Sequence, residues 1–200
     1  MSVQTALWLI RHPEPAGGAG RCYGTLDLPL SETGKLQAQA LARKLAAEPL
    51  AAVYTSPRER CRYAASLLAE ACGCPSEVVD DLRELDHGEW EGRAYDEIAA
   101  ADPELYRKWM TQPCEVRFPD GECLADVRQR VLPAAAALRA RHRGEAIAAI
   151  THVGPLRIIL ADALGMPAEH MFRIGQSFGG ANLIRYWGEI PQVEFLNREV

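Results

Sequence analysis

Lysine is nearly missing from this chain of 200 residues, where it occurs only at positions 35, 44 and 108. Lys and Arg together number 22 against 27 Asp and Glu, a formal net charge of −5. That balance excludes a broad nucleic-acid footprint, so any bound anion must be held by a local cluster of positive groups. Also missing is any apolar run near the ~18 residues that a membrane span needs. The opening stretch has no basic leader and no small-residue cleavage site, and its apolar run ends in Arg11-His12. It reads as a first strand rather than a signal peptide. Cys22, Cys61, Cys72, Cys74, Cys114 and Cys123 include no C-x-x-C pair, and Cys72-x-Cys74 alone is a poor zinc signature. A chain of this length builds a core without staples, so reduced thiols in a cytoplasmic protein are expected. What is present is ordinary: 48% hydrophobic and 24% charged residues, which excludes a disordered or collagen-like polymer.

Residues 6–11 form a short apolar run ending in charge, as a buried strand does. Residues 13–30 are rich in Pro and Gly and read as a long loop, a length more often functional than merely connecting. Ser31 offers an N-cap for a helix over about 32–48, with Leu36, Leu41 and Leu45 on its apolar stripe. A second strand is expected over 51–56, then a helix opening at Pro57 and ending near 72, and a short third strand in Ser76–Asp81. Residues 82–93 are turn-like, with helices near 94–101 and 103–111 and a longer one over about 121–143. A strand over 145–151, a helix over 155–164 and late strands near 171–177, 181–187 and 192–196 complete the pattern. Strands alternating with helices predict an α/β fold with a mostly parallel sheet. No repeat, low-complexity tract or linker divides residues 1–200, so one domain is expected, with the polar middle, roughly 86–120, as a small cap insertion.

The chemistry converges on strand ends. Arg11-His12 closes the first strand and Thr151-His152 a later one, while Thr55-Ser56-Pro57-Arg58-Glu59-Arg60 reaches the same edge if its strand is parallel. Ligands of open parallel sheets bind outside the carboxyl ends of strands. Two histidines among arginines suit phosphoryl transfer: a neutral imidazole attacks phosphorus and splits one hard step into two. Arginine forks match phosphate oxygens bidentately, and their charge disfavours imidazolium. The leaving alkoxide needs a proton, for which Glu84 and Asp86 are the candidate acids.

Five motifs then stand in order. They are Arg11-His12 after a strand, Leu30-Ser31-Glu32-Thr33-Gly34-Lys35-Leu36-Gln37-Ala38 at a helix start, and Thr55-Ser56-Pro57-Arg58-Glu59-Arg60. Leu82-Arg83-Glu84 with Gly88-Glu89-Trp90-Glu91-Gly92, and Thr151-His152-Val153-Gly154-Pro155-Leu156-Arg157, follow. With these the sequence resembles the histidine phosphatase superfamily, the phosphoglycerate-mutase-like proteins, over nearly its whole length. The loop from Arg21 to Ser31 looks most like the α-ribazole phosphatase and broad-specificity branch.

The resemblance implies a three-layer α/β/α sandwich and a metal-independent phosphomonoesterase acting on small esters of the α-ribazole phosphate or sugar phosphate kind. His12 would be the phosphorylated nucleophile, with Arg11, Arg60 and His152 completing the phosphate pocket and Glu84 as proton donor. Arg21, Gly24 and Val153 would also meet the substrate. His87, His142 and His170 match no family position and read as surface or structural residues, and Gly88, Trp90 and Gly92 as turn-shaping ones. No cofactor or metal is implied. The expected partner is a small phosphate ester rather than a nucleic acid or membrane, and a homodimer is left open. Pro13 stands where the family has Gly and removes a backbone N–H. Val153 also replaces a Gly, and Gly17, Gly18, Ala19 and Gly20 stand where many members place a phosphate-binding Asn. A phosphomutase, or a phosphate-binding module impaired by Pro13, are the alternative readings.

Overall fold

The computed structural model describes residues 4–199. Six strands form one sheet: β1 (Gln4–Arg11), β2 (Leu50–Thr55), β3 (Ser76–Val78), β4 (Ala146–Thr151), β5 (Ala181–Trp187) and β6 (Ile190–Arg198), in spatial order β3-β2-β4-β1-β5-β6. The first four are mutually parallel, and β5 and β6 continue the sheet antiparallel from β1. The helices are α1 (Glu32–Leu45), α2 (Glu59–Cys72), α3 (Tyr95–Ala101), α4 (Pro103–Thr111), α5 (Leu124–Arg141) and α6 (Val153–Ala163).

Strand alternation sorts the core into two layers. Ala6, Trp8 and Ile10 of β1, with Ala148 and Ile150 of β4, pack under Leu41 of α1 and Leu68 of α2. Leu7 and Leu9, with Ile147 and Ala149, pack under Val131 of α5 and Leu156 of α6. In β2, Leu50 faces the first layer and Ala52 the second, because a register shift between them inverts the alternation. The sandwich is three-layered, as expected.

Most boundaries lie within a few residues of the sequence reading, and one element does not exist. Residues 171–177 were expected to be a strand; instead Ala168–Arg173 forms a 3₁₀ helix. Met171 and Ile174, three residues apart, both turn into the core, which is 3₁₀ spacing rather than strand spacing. Nor is an edge of β1 free to pair, since β4 and β5 already flank it. Helix α6 begins two residues earlier than expected, directly after His152. Pro155 sits in its first turn, where a missing N–H is harmless.

Candidate active site

In the parallel pair β1–β4, Arg11 lies opposite Thr151, and the His12 N–H donates to the Thr151 carbonyl at 2.8 Å. The next residues, His12 and His152, therefore emerge side by side, with ring centroids 5.1 Å apart, close to the ordinary strand spacing. From the end of β2, the Ser56 N–H donates to the Ile150 carbonyl at 3.0 Å. Its Oγ meets His152 Nε2 at 2.7 Å.

Hydrogen bonds fix both imidazole tautomers. His12 Nδ1 lies 2.8 Å from the Pro13 carbonyl. A carbonyl only accepts, so Nδ1 carries the proton and Nε2 keeps a lone pair. The proline thus supplies an oriented acceptor where the family's glycine stands. On His152, Nδ1 faces the Arg60 Nη2–H at 3.2 Å and must accept, so Nε2–H donates to Ser56. Burial, then the Arg60 charge, hold both histidines well below the usual imidazole range; Arg11 adds to the effect on His12. Both rings are neutral at physiological pH.

Arg60, from the first turn of α2, is fully buried. It is aimed by the Leu26 and Gly24 carbonyls, which accept from Nη1 at 2.6 Å and from Nη2 at 2.8 Å. Arg11 donates through Nη1 to the Gln176 carbonyl at 2.7 Å and stacks on Phe178 at 3.9 Å. The Nε–H groups of both arginines are buried with no partner. Buried donors without acceptors are costly, and phosphoryl oxygens are the kind of acceptor that would satisfy them.

Glu84 is buried and lines, with Arg11 and His12, a cavity of about 150 Å³. Its carboxylate accepts from the Leu85 N–H at 2.8 Å and from the Gly154 N–H, in the first turn of α6, at 3.2 Å. A Cβ at position 154 would collide with Glu84 Oε1, so glycine is needed for this approach. Two long-range contacts place the segment. Thr151 Oγ1 donates to the Leu82 carbonyl at 2.6 Å, and Arg130 of α5 donates to the Arg83 carbonyl at 2.7 Å and the Glu84 carbonyl at 2.9 Å. Asp86, the rival acid, is spent on a turn: its Oδ1 accepts from the Gly88 N–H at 2.9 Å.

Val153 lines the cavity as the first residue of α6, where helical angles suit a β-branched side chain. Two expected contacts are elsewhere. Arg21 is exposed and donates to the Gly92 carbonyl at 2.9 Å, pairing the loop with Ala94. Gly24 is structural, because a Cβ there would strike the Leu85 carbonyl, and its own carbonyl holds Arg60. Conversely, His87 was read as surface or structural, yet it lines the cavity, as do Tyr23, Tyr95, Trp109 and Arg157. Arg157 stood inside a quoted motif and Arg130 beside the apolar stripe of α5; these were the available signals. Tyr23, Tyr95 and Trp109 carried none, since aromatics on loops and short helices are as often packing residues.

Two neutral histidines, one buried and one half-buried arginine, each with an unpartnered Nε–H, and one carboxylate define a phosphate-handling α/β enzyme. The chain belongs to the histidine phosphatase superfamily (branch 1), whose sequence profile matches residues 7–199. It is 36% identical over 170 residues to Phosphoserine phosphatase 1 of Hydrogenobacter thermophilus, covering 84% of this chain and 81% of that protein. It is 32% identical over 173 residues to Adenosylcobalamin/alpha-ribazole phosphatase of Salmonella typhimurium, covering 85% and 86%. The solved structure of Bacillus stearothermophilus YhfR superposes with a TM-score of 0.91 at 31% identity, covering 98% of each chain. Mycobacterial relatives 32% identical over 187 residues are longer, and the chain spans 51% of their length. Family and relatives together make this chain a phosphoric monoester hydrolase.

Proposed function

We propose that the chain hydrolyses small phosphate monoesters through a phosphohistidine on His12. The observation that carries this reading is the His12–Pro13 hydrogen bond, which leaves the Nε2 lone pair beside Arg11 and Arg60, each with an unpartnered Nε–H. In the first step a bond forms from Nε2 to phosphorus and the P–O bond to the alcohol breaks. Glu84, protonated, gives its proton to the leaving oxygen. Arg11 and Arg60 balance the charge that spreads over the phosphoryl oxygens. In the second step Glu84, now a carboxylate, takes a proton from water. The water oxygen bonds to phosphorus, the N–P bond breaks, and free phosphate leaves with His12 restored. His152 and Ser56 hold the pocket's geometry, with His152 pinned as a neutral ring between Arg60 and Ser56.

No helix among the described residues is long and apolar enough to cross a membrane. The six cysteines form no disulfide, which supports work in the cytoplasm. The test is phosphate release from a panel of small phosphomonoesters in EDTA, with His12→Ala alongside. The expected result is metal-free turnover that disappears in the variant. Turnover that survives the substitution, or that EDTA removes, contradicts the phosphohistidine.

A further inference from the structure

Phosphoryl transfer as written leaves one half-buried carboxylate without a task, that of Glu91 in the turn Gly88-Glu89-Trp90-Glu91-Gly92. Backbone hydrogen bonds zip this turn to the long 13–30 loop. The Cys22 N–H donates to the Arg93 carbonyl at 2.9 Å, and the Gly92 N–H donates to the Cys22 carbonyl at 2.8 Å. Gly92 bends the chain there at φ 80°, a left-handed conformation that glycine adopts at no steric cost. Glu91 is thereby held against the loop. Its carboxylate accepts the N–H groups of Gly24 at 2.9 Å, Thr25 at 3.1 Å and Leu26 at 3.4 Å, and that of His87 from its own turn at 3.2 Å. A carboxylate is ionised at neutral pH, and converging N–H donors favour that form.

The same loop holds Arg60 through its carbonyls, Gly24 accepting from Nη2 and Leu26 from Nη1. Gly24–Thr25 is a trans peptide, whose N–H and C=O point in opposite directions. The N–H ends on Glu91 and the C=O on Arg60, so one peptide group links the anion to the cation. Asp27 fastens the far end of the loop to the helix that carries Arg60, its Oδ1 accepting from the Glu59 N–H at 2.7 Å. Arg60 is fully buried, and a buried cation is costly unless it is compensated. Among the described residues its hydrogen bonds go to the two loop carbonyls and to His152 Nδ1, not to a carboxylate. A carboxylate in direct contact would occupy donors that a phosphoryl group needs. Compensation through a peptide leaves the Nε–H without a partner.

We propose that Glu91 is a positioning residue for Arg60: through the Gly24–Thr25 peptide it orients the guanidinium and balances its charge from behind, and so sets the pocket's affinity for the phosphoryl group. The inference rests on the phosphomonoesterase reading and deepens it. Charges at the two ends polarise a hydrogen-bond chain and strengthen it, so removal of the charge at Glu91 is felt at Arg60 although no direct bond joins them.

The experiment uses Glu91→Gln, which keeps the size of the side chain and removes its charge and one acceptor oxygen. It has two readouts: the Kd of inorganic phosphate by calorimetry, and kcat/KM on p-nitrophenyl phosphate in a double-mutant cycle with Arg60→Met. Glu91→Gln is expected to weaken phosphate binding and to lower kcat/KM by about tenfold, the scale of a hydrogen bond to a charged group. In the Arg60→Met background it should cost less than about twofold, because its effect runs through Arg60. Alkyl phosphates should lose as much as p-nitrophenyl phosphate, since Arg60 meets the phosphoryl group and not the leaving group. Glu91→Asp, which keeps the charge but shortens the reach, is the second variant if Glu91→Gln does not fold. An unchanged phosphate Kd, or an equal loss with and without Arg60, overturns the proposal. A loss confined to alkyl phosphates overturns it as well, since it would assign Glu91 to the placing of Glu84. Phosphate bound with no ester turned over overturns the phosphatase reading, and the phosphate Kd of the variant then decides this proposal alone.

Discussion

At His12 a single carbonyl sets the direction of the chemistry, since the Pro13 carbonyl accepts a hydrogen bond from Nδ1–H and leaves Nε2 as the attacking atom. Burial first, then Arg60 and Arg11, keep the ring neutral below its ordinary value of 6.5. As far as His12 sets it, the acid limb of kcat/KM therefore lies below pH 6.5. Arg60→Met removes the second cause, raises the His12 pKa and should move that limb to higher pH; an unmoved limb counts against the assignment. Glu84→Gln should slow alkyl phosphates by about 10²–10⁴-fold and p-nitrophenyl phosphate far less, because a good leaving group needs little proton transfer. Equal losses on both would remove Glu84 from the role of acid. His12, Arg11, Arg60, Glu84 and His152 were legible because strand ends and short motifs announce them. Arg21 was misread because which way a loop side chain faces depends on partners distant in sequence, here the Gly92 carbonyl. His87, read as surface or structural, does pack on Phe118 and Trp109, but its place on the cavity wall was not legible for the same reason.

Among the elements, those that carry the site are fastened by side chains from others. Ser31 caps α1 by accepting from the Gly34 N–H at 3.0 Å and donates to Glu14 at 2.7 Å, tying the long loop to the helix. Ser31→Ala should cost about 1 kcal/mol in denaturant unfolding, and no measurable loss would mean that water replaces the cap. Arg130 spans the 81–84 segment, so Arg130→Met should lower kcat on alkyl phosphates more than on p-nitrophenyl phosphate, the same signature as a misplaced Glu84. A uniform drop on both would instead mark a general loss of folded enzyme. Helices with a clear apolar stripe, α1 with its Ser31 cap and α5, were readable to within a few residues. The 168–173 turn was not, since Met171 and Ile174 in a short apolar segment fit a strand or a 3₁₀ helix equally until the neighbours of β1 are known.

Over the whole molecule, the buried neutral histidines make stability depend on pH. His12 and His152 have folded pKa values below the ordinary 6.5, so the unfolded chain takes up their protons first. Their stabilisation is intact above pH 6.5 and is lost as pH falls below it, and Glu91, lowered from 4.5, adds a further loss in stronger acid. The urea midpoint should therefore fall between pH 7 and pH 5, and a flat midpoint would show that the two rings are protonated in the folded state. The register of β1 and β4 governs more than stability. His12 and His152 are the residues that follow two hydrogen-bonded parallel strands, so the sheet acts as the ruler between them. One residue added or deleted within β4 turns every later side chain to the opposite face, carrying His152 away from Arg60. Tolerance to insertion and deletion in this protein is thus written in the pairing of two strands, and a library of single-codon indels should find an active-site boundary there that point substitutions do not reveal.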